Sequence, residues 1–255
     1  MQRSENSGDL DLPPLFRAVV LREHRDAFTH ACAIAAEEGA GTLVWVRRFD
    51  TAEVAVVLEP DEPLATARRA LYAVMSAAGD ALAAHCPPEK PMAFTWPDTI
   101  LLDGAIVGGA RLAWPDNARE DGPPNWLVAG LVLRLAVPLT RVMGPGASQF
   151  DVASTKGTSL ELEGFEMLDA AELIASFARH LMLYIDQWQA DGFEPVAERY
   201  LGWLPTEKLV RRGIDANGDL LLRRLKVKGG VERHDLRAAL ARPQWLDPET
   251  GNPWL

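Results

Sequence analysis

Apolar residues return along this chain in two rhythms. Between residues 64 and 85, Leu64, Ala67, Leu71, Val74, Ala78 and Leu82 recur every three or four positions, the stripe of a helix laid on a core. That spacing predicts one continuous helix, stopped by Pro87 and Pro88. A second stripe, Leu173, Phe177, Leu181, Tyr184 and Trp188, follows Asp169, which can cap, with Glu172 three residues on and Gly192 at the far end. Alanine-rich residues 25–38 read as a helix ending before Gly39 and Gly41, and Pro195 opens a short helix through Tyr200. Residues 15–21, 42–46, 54–58, 92–96, 99–102, 106–113 and 126–137 read as strands. Asp103-Gly104 and Asp121-Gly122-Pro123 mark turns, and Arg47-Arg48-Phe49-Asp50-Thr51 forms a tight basic turn between the second and third strands. A loop containing Gly144-Pro145-Gly146 leads into the long second helix.

After Pro205 the rhythm shortens, with hairpin signals at Asn217-Gly218 and Gly229-Gly230. The order strands, helix, strands, helix, small β unit predicts an α+β fold with a mixed sheet. Three segments are expected: a polar leader over residues 1–11, a main domain over residues 12–205 and a small β-rich domain over residues 206–255.

Composition narrows the partners. With 26 Lys+Arg against 36 Asp+Glu the 255-residue chain carries a net charge of −10, which opposes non-specific attraction to nucleic acid or anionic membranes. No nucleic-acid or membrane partner is expected. No run of about 20 apolar residues occurs, residues 1–10 lack a secretory pattern, and Cys32 with Cys86 is too few thiols for a disulfide framework, so the expected place is the cytoplasm. His24, His30, His85, His180 and His234 are dispersed without metal-ligand spacing, so no metal site is expected. Neither a phosphate-cradling nor a dinucleotide glycine motif is present, and Ser148 lacks the second glycine of a nucleophile elbow. Cationic side chains are nearly all arginine; the lysines are Lys90, Lys156, Lys208, Lys226 and Lys228.

One stretch is more specific. Phe94-Thr95-Trp96-Pro97-Asp98-Thr99, the Asp103-Gly104 turn and Ile106-Val107-Gly108-Gly109-Ala110-Arg111-Leu112 resemble the central signature of biotin protein ligases. In that family a strand ending K-W-P-N-D precedes a hairpin and K-x-A/G-G-I-L. Val128 to Arg134 is similar to the family's G-x-G-I-N strand, and Gly157-Thr158-Ser159-Leu160 to its A-T-S-L segment. Arg212-Gly213-Ile214-Asp215, with Gly218 and Leu220 to Leu222, is similar to a hairpin of the family's C-terminal barrel. The likeness is collinear over nearly the whole chain and covers no N-terminal DNA-reading helix-turn-helix. It implies a biotin/lipoate protein ligase-like mixed-sheet core followed by a small SH3-like β unit.

The resemblance also implies chemistry: a carboxylic acid such as biotin, lipoate or a fatty acid, activated with ATP and magnesium and passed to a biotinyl or lipoyl carrier domain, with homodimerisation common in the family. Here the chain departs from the pattern. The glycine- and arginine-rich ligand loop shrinks to residues 47–51, the catalytic lysine falls on Ile106, the lysine before W-P is Thr95, and the asparagine of G-I-N is Arg134. The catalytic residues are therefore open. Candidate ligand residues are Arg47, Arg48, Trp96, Pro97, Asp98, Gly108, Gly109, Arg111, Arg134 and Lys156.

Each candidate has a plainer reading beside the functional one. Trp96-Pro97 is a packed strand end or a pocket wall, and Asp98 is turn chemistry or a ligand-facing carboxylate. Gly108-Gly109 permits tight strand packing or close approach of a ligand. The arginines are structural or offer planar donor forks, and Lys156 is a surface amine or one that reaches the pocket. Three functions stay open: a divergent acyl-activating or acyl-transferring enzyme, a non-catalytic binder of an acyl group or acylated carrier, and an interaction module with a vestigial pocket.

Overall fold

A computed structural model describes residues 10–137, 157–165, 168–225, 230–249, 251 and 253–254. Strand β1 (Arg17–Arg22) runs into helix α1 (Ala27–Glu38), whose N-cap Asp26 accepts from the Thr29 amide. A βαβ crossover then places β2 (Thr42–Arg47) parallel to β1. The remaining pairs are antiparallel: β3 (Thr51–Leu58), β4 (Met92–Thr95), β5 (Thr99–Leu102), β6 (Ala105–Ala113) and β7 (Leu127–Arg134) complete a seven-stranded mixed sheet in the order β1-β2-β3-β7-β6-β5-β4. Arg47 and Thr51 belong to the strands, so the basic turn is only residues 48–50. The last strand of this sheet stops at Arg134, short of the expected residue 137.

The sheet carries helices on both faces. One face, through Val44, Val46, Ala55, Val57 and Val128, packs on Ala27, Ala31 and Ala35 of α1. The other, through Leu43, Trp45, Val54, Val56, Leu131 and Leu133, packs on α3 (Ala70–Ala83) and α4 (Ala170–Asp191). The period-two alternation of these strands is that of a sheet covered on both sides.

The helix expected over residues 64–85 is two: α2 (Leu64–Ala67) and α3. The amides of Arg69, Leu71 and Tyr72 bond carbonyls three residues back rather than four. At the break Arg68 pairs with Glu120 at 2.8 Å and Arg69 with Glu62 at 2.6 Å, carboxylates on different loops. Helix α4 begins at the expected cap, Asp169, and ends at Gly192. Its stripe is buried from Leu173 to Tyr184, whereas Trp188 is half-buried, its ring under the Arg69 guanidinium at 5.2 Å. Gly144-Pro145-Gly146, Ser148, Lys156 and Gly229 lie outside the described residues.

Helix α5 (Glu194–Trp203) leads to a three-stranded antiparallel sheet of β8 (Val210–Ile214), β9 (Leu220–Arg224) and β10 (Glu232–His234), then α6 (Leu236–Leu240). This unit shares the main core, because Leu220 and Leu236 are buried in the same cluster as α3. The expectation of a mixed-sheet α+β core with a C-terminal β unit describes the observed architecture.

Candidate functional site

The face of β6 and β7 that looks toward α1 gathers charged and polar side chains beside glycines. Register places Gly109 opposite Val132 and Arg111 opposite Gly130, and Glu53 of β3 opposite Val132. Side chains of directly paired residues share a face, so Glu53, Gly109, Arg111, Gly130, Val132 and Arg134 form one floor. The first turn of α1 stands over it. A Cβ on Gly130 would overlap the ring of Phe28, and the Arg111 guanidinium lies 4.1 Å from the centre of that ring.

Arg111 of this face and Arg48 of the adjoining β2–β3 turn hold carboxylates of the chain itself. Arg111 pairs with Asp26 at 3.1 Å, while its Nε is buried without a partner. Burial works against the charge of Asp26, but the Thr29 amide and Arg111 outweigh it and leave the carboxyl below its usual range. Arg48 donates to the carbonyls of Glu23 and Arg25, both at 2.8 Å, and pairs with Glu53 at 3.2 Å. It therefore ties the β1–α1 loop to β3. Glu53 is buried and also accepts from the Ala27 amide at 2.6 Å; burial pushes its carboxyl up. Arg47 is exposed, its guanidinium 5.3 Å from the Trp45 ring. Arg134 is buried at the end of β7, with its carbonyl accepting from Leu160. Cys32, on α1, is held protonated, its thiol pushed up to about 11 by burial in spite of Arg111.

The tryptophan-proline turn sits between the core and the C-terminal unit. Trp96 Nε1 donates to the Tyr72 hydroxyl at 3.0 Å, and its ring meets His234 edge-on at 5.8 Å. The carbonyl of buried Pro97 accepts from Tyr200 at 2.9 Å. Asp98 is fully buried. Its Oδ1 accepts from the Thr99 hydroxyl at 2.9 Å and its Oδ2 has no partner; burial raises the carboxyl to about 7, against Thr99 and the Gln244 amide, which favour the charge. At Gly108 a Cβ would run into the Val132 carbonyl, and at Gly109 into the indole of Trp245 and the Asp98 carbonyl. Close approach is what both glycines permit, and the approaching groups are a strand and a tryptophan of the same chain.

Sequence reasoning singled out Arg48, Gly109, Arg111 and Arg134, which the fold brings to this one region. It missed Asp26, Phe28, Glu53 and Trp245. Asp26 had a local signal, since an aspartate before an alanine-rich helix is a cap. The other three are joined to the floor only by the packing of α1 on the sheet (Phe28), by strand register (Glu53) and by the return of the C-terminal tail (Trp245). Lys156 lies outside the described residues. Among the described residues no group of three or more His, Cys, Asp or Glu is arranged to hold a metal ion, and no helix is long and apolar enough to cross a membrane.

Three comparisons bear on this arrangement. The model of the biotin/lipoate A/B protein ligase family matches residues 12–202. A biotin-[acetyl-CoA-carboxylase] ligase of Paracoccus denitrificans is 29% identical over 199 residues, covering 70% of this chain and 76% of that protein. Among solved structures, a biotin protein ligase-like protein of unknown function from Silicibacter sp. TM1040 superposes with a TM-score of 0.73 at 28% identity, over 90% of this chain and 98% of the other. The biotin protein ligase of Aquifex aeolicus superposes with a TM-score of 0.61 at 12% identity, over 86% and 95% of the two chains, a likeness of fold.

Proposed function

The chain belongs to the biotin/lipoate A/B protein ligase family, and from that premise we propose that it binds a carboxylic-acid acyl group, biotin-, lipoate- or fatty-acid-like, between α1 and the β6–β7 face. The observation that carries the reading is Arg111. Its guanidinium stands over a glycine floor beside the Phe28 ring and holds a carboxylate, that of Asp26, through one nitrogen at 3.1 Å, leaving its buried Nε as a donor still to be used. The Phe28 ring and the Gly109, Gly130 and Val132 part of the floor suit the body of the ligand.

Binding rather than activation is the part of the family's chemistry that these residues support. Adenylation concentrates negative charge on the α-phosphate and acid oxygens, and positioned cations supply most of the stabilisation. ATP with magnesium does not fit the described residues. Ile106, at the position the resemblance gives to a lysine, packs in an apolar cluster with Val132, Trp245 and Leu246. Arg48 is committed to two carbonyls and Glu53, and Arg47 lies out over Trp45. A biotinyl or lipoyl carrier domain and a second copy of the chain are the macromolecular partners this reading brings with it, and the cytoplasm is its setting.

Titration calorimetry with biotin, lipoate and octanoate tests the assignment. Arg111→Ala is expected to weaken binding at least tenfold, on the order of the 1.5–3 kcal/mol of a charged hydrogen bond. Asp26→Asn keeps a side chain suited to the α1 cap while releasing the guanidinium, and is expected to tighten binding of the acid. Unchanged affinity in Arg111→Ala would sink the reading. Appearance of an acyl-adenylate by native mass spectrometry on adding ATP and magnesium would replace it with an activating enzyme.

A further inference from the structure

Trp245 is the largest fully buried side chain among the described residues, yet it belongs to neither helix nor strand. It reaches the sheet from the tail that follows α6. Its indole packs against Gly109 and Val132, and its Nε1 donates to the Ala110 carbonyl at 3.1 Å. Gly109 and Val132 belong to the floor that also bears Arg111 and Glu53. Val132 is two positions along β7 from Gly130, about 7 Å, so Phe28 over Gly130 and Trp245 over Val132 are neighbouring covers of one surface.

The surface beneath the indole is matched to it. Ile106, where the resemblance puts a charged lysine, is the apolar wall against Trp245 and Leu246. A lysine there would lay its stem against an indole and aliphatic side chains in place of the half-buried Ile106. The absence of a Cβ at Gly109 is what lets the ring lie on the strand.

The segment that carries Trp245 closes on itself. The Trp254 amide donates to the Trp245 carbonyl at 2.9 Å, Leu246 bridges Pro253, and the Gly251 amide donates to the Asp247 carbonyl at 2.7 Å. The Glu249 amide donates to Asp247 Oδ1 at 2.8 Å. These bonds can stay intact while the segment leaves the sheet. Its polar attachments to the sheet body include the Trp245 indole bond and Gln244 Nε2 to the Trp96 carbonyl at 3.2 Å. Asp98, whose carboxyl the Gln244 amide faces, keeps one buried oxygen without a donor.

We infer that Trp245 is a resident occupant of the ligand face: its indole and the acyl group compete for the Gly109 floor, and ligand enters by displacing the indole. The inference rests on the binding reading above and adds to it the group that controls access. A ligand that must displace the segment binds with its intrinsic affinity reduced by the fraction of molecules in which the segment is open. Removing the indole removes that penalty.

The test titrates wild type, Trp245→Ala and Arg111→Ala with biotin, lipoate and octanoate, and follows peptide-resolved hydrogen exchange of residues 243–254 with and without ligand. At least tenfold tighter binding to Trp245→Ala, or faster exchange of the segment in liganded wild type, is the expected result. Equal affinities of wild type and Trp245→Ala with unchanged exchange, while Arg111→Ala loses binding, would overturn the inference and leave the binding reading standing. No binding to wild type or to Trp245→Ala would overturn both. Should Trp245→Ala fail to fold, Trp245→Leu, which keeps an apolar side chain over Gly109, takes its place with the same expected direction.

Discussion

At the scale of single residues, Asp98 is the group with the clearest thermodynamic signature. Its carboxyl is raised to about 7 by burial, so the folded chain retains a proton that the unfolded chain has released from about pH 4 upward. Between those values the unfolded state binds fewer protons, and stability falls as pH rises. Above about 7 the loss is complete. Asp98→Asn is expected to flatten urea-derived stability between about pH 4 and 7 and to raise it by about 2–4 kcal/mol at pH 8. Chemical denaturation at pH 5 and pH 8 checks this, and an equal effect of the substitution at both values would contradict it. Gly108 offers the opposite case. Because a Cβ there meets the backbone carbonyl of Val132 rather than a movable side chain, Gly108→Ala is expected to cost at least about 2 kcal/mol.

At the scale of elements, the β1–α1 connection is held by two arginines, Arg111 at Asp26 and Arg48 at the residues before it. Arg48 gathers the Glu23 and Arg25 carbonyls and the buried Glu53 carboxylate, while Glu53 also receives the first amide of α1, that of Ala27. Helix α1 is therefore anchored at its start by a charge on β3, and that same start positions Asp26 and Phe28 over the sheet. Arg48→Ala leaves Glu53 buried without its cation and is expected to destabilise the fold by about 2–3 kcal/mol. It should also quicken hydrogen exchange in the first turn of α1. Glu53→Gln substituted into Arg48→Ala removes the stranded charge and should recover part of the stability, which a double-mutant cycle reads directly. The break between α2 and α3 obeys the same logic, since the two arginines at the break satisfy carboxylates on separate loops.

At the scale of the whole molecule, Tyr72 joins the main core to the C-terminal unit. Its hydroxyl accepts from Trp96 Nε1 and donates to the carbonyl of Gly218 in the β8–β9 turn, and a Cβ on Gly218 would meet Leu236. With Leu220 and Leu236 in the core of α3, the small sheet has little apolar interior of its own. Calorimetry is expected to show one unfolding transition for the chain, and Tyr72→Phe to lower its stability by about 1–2 kcal/mol. Two separate transitions would show instead that the C-terminal unit folds alone.

What the sequence determined by itself is what local physics writes into neighbouring positions. Period-two runs made the strands, the stripe from Leu173 with Asp169 and Gly192 made α4, and Asn217-Gly218 made the β8–β9 turn. The collinear W-P-D and Gly108-Gly109 signatures carried the resemblance to the family. The helix break at Arg68-Arg69 was illegible in the apolar stripe, and the partner Arg68 takes there, Glu120, comes from 52 positions along the chain. The site was half legible for the same reason. Arginine at 48 and 111 could be read as a cation, but its partner could not, since Asp26 meets Arg111 across 85 positions of chain. Trp245 was not legible as part of the site at all: its indole reaches Ala110 across 135 positions, and burial, register and closure of the tail are properties of the assembled sheet. Tertiary structure alone decided that the arginines are held by carboxylates of the same chain and that the glycine floor lies under a tryptophan.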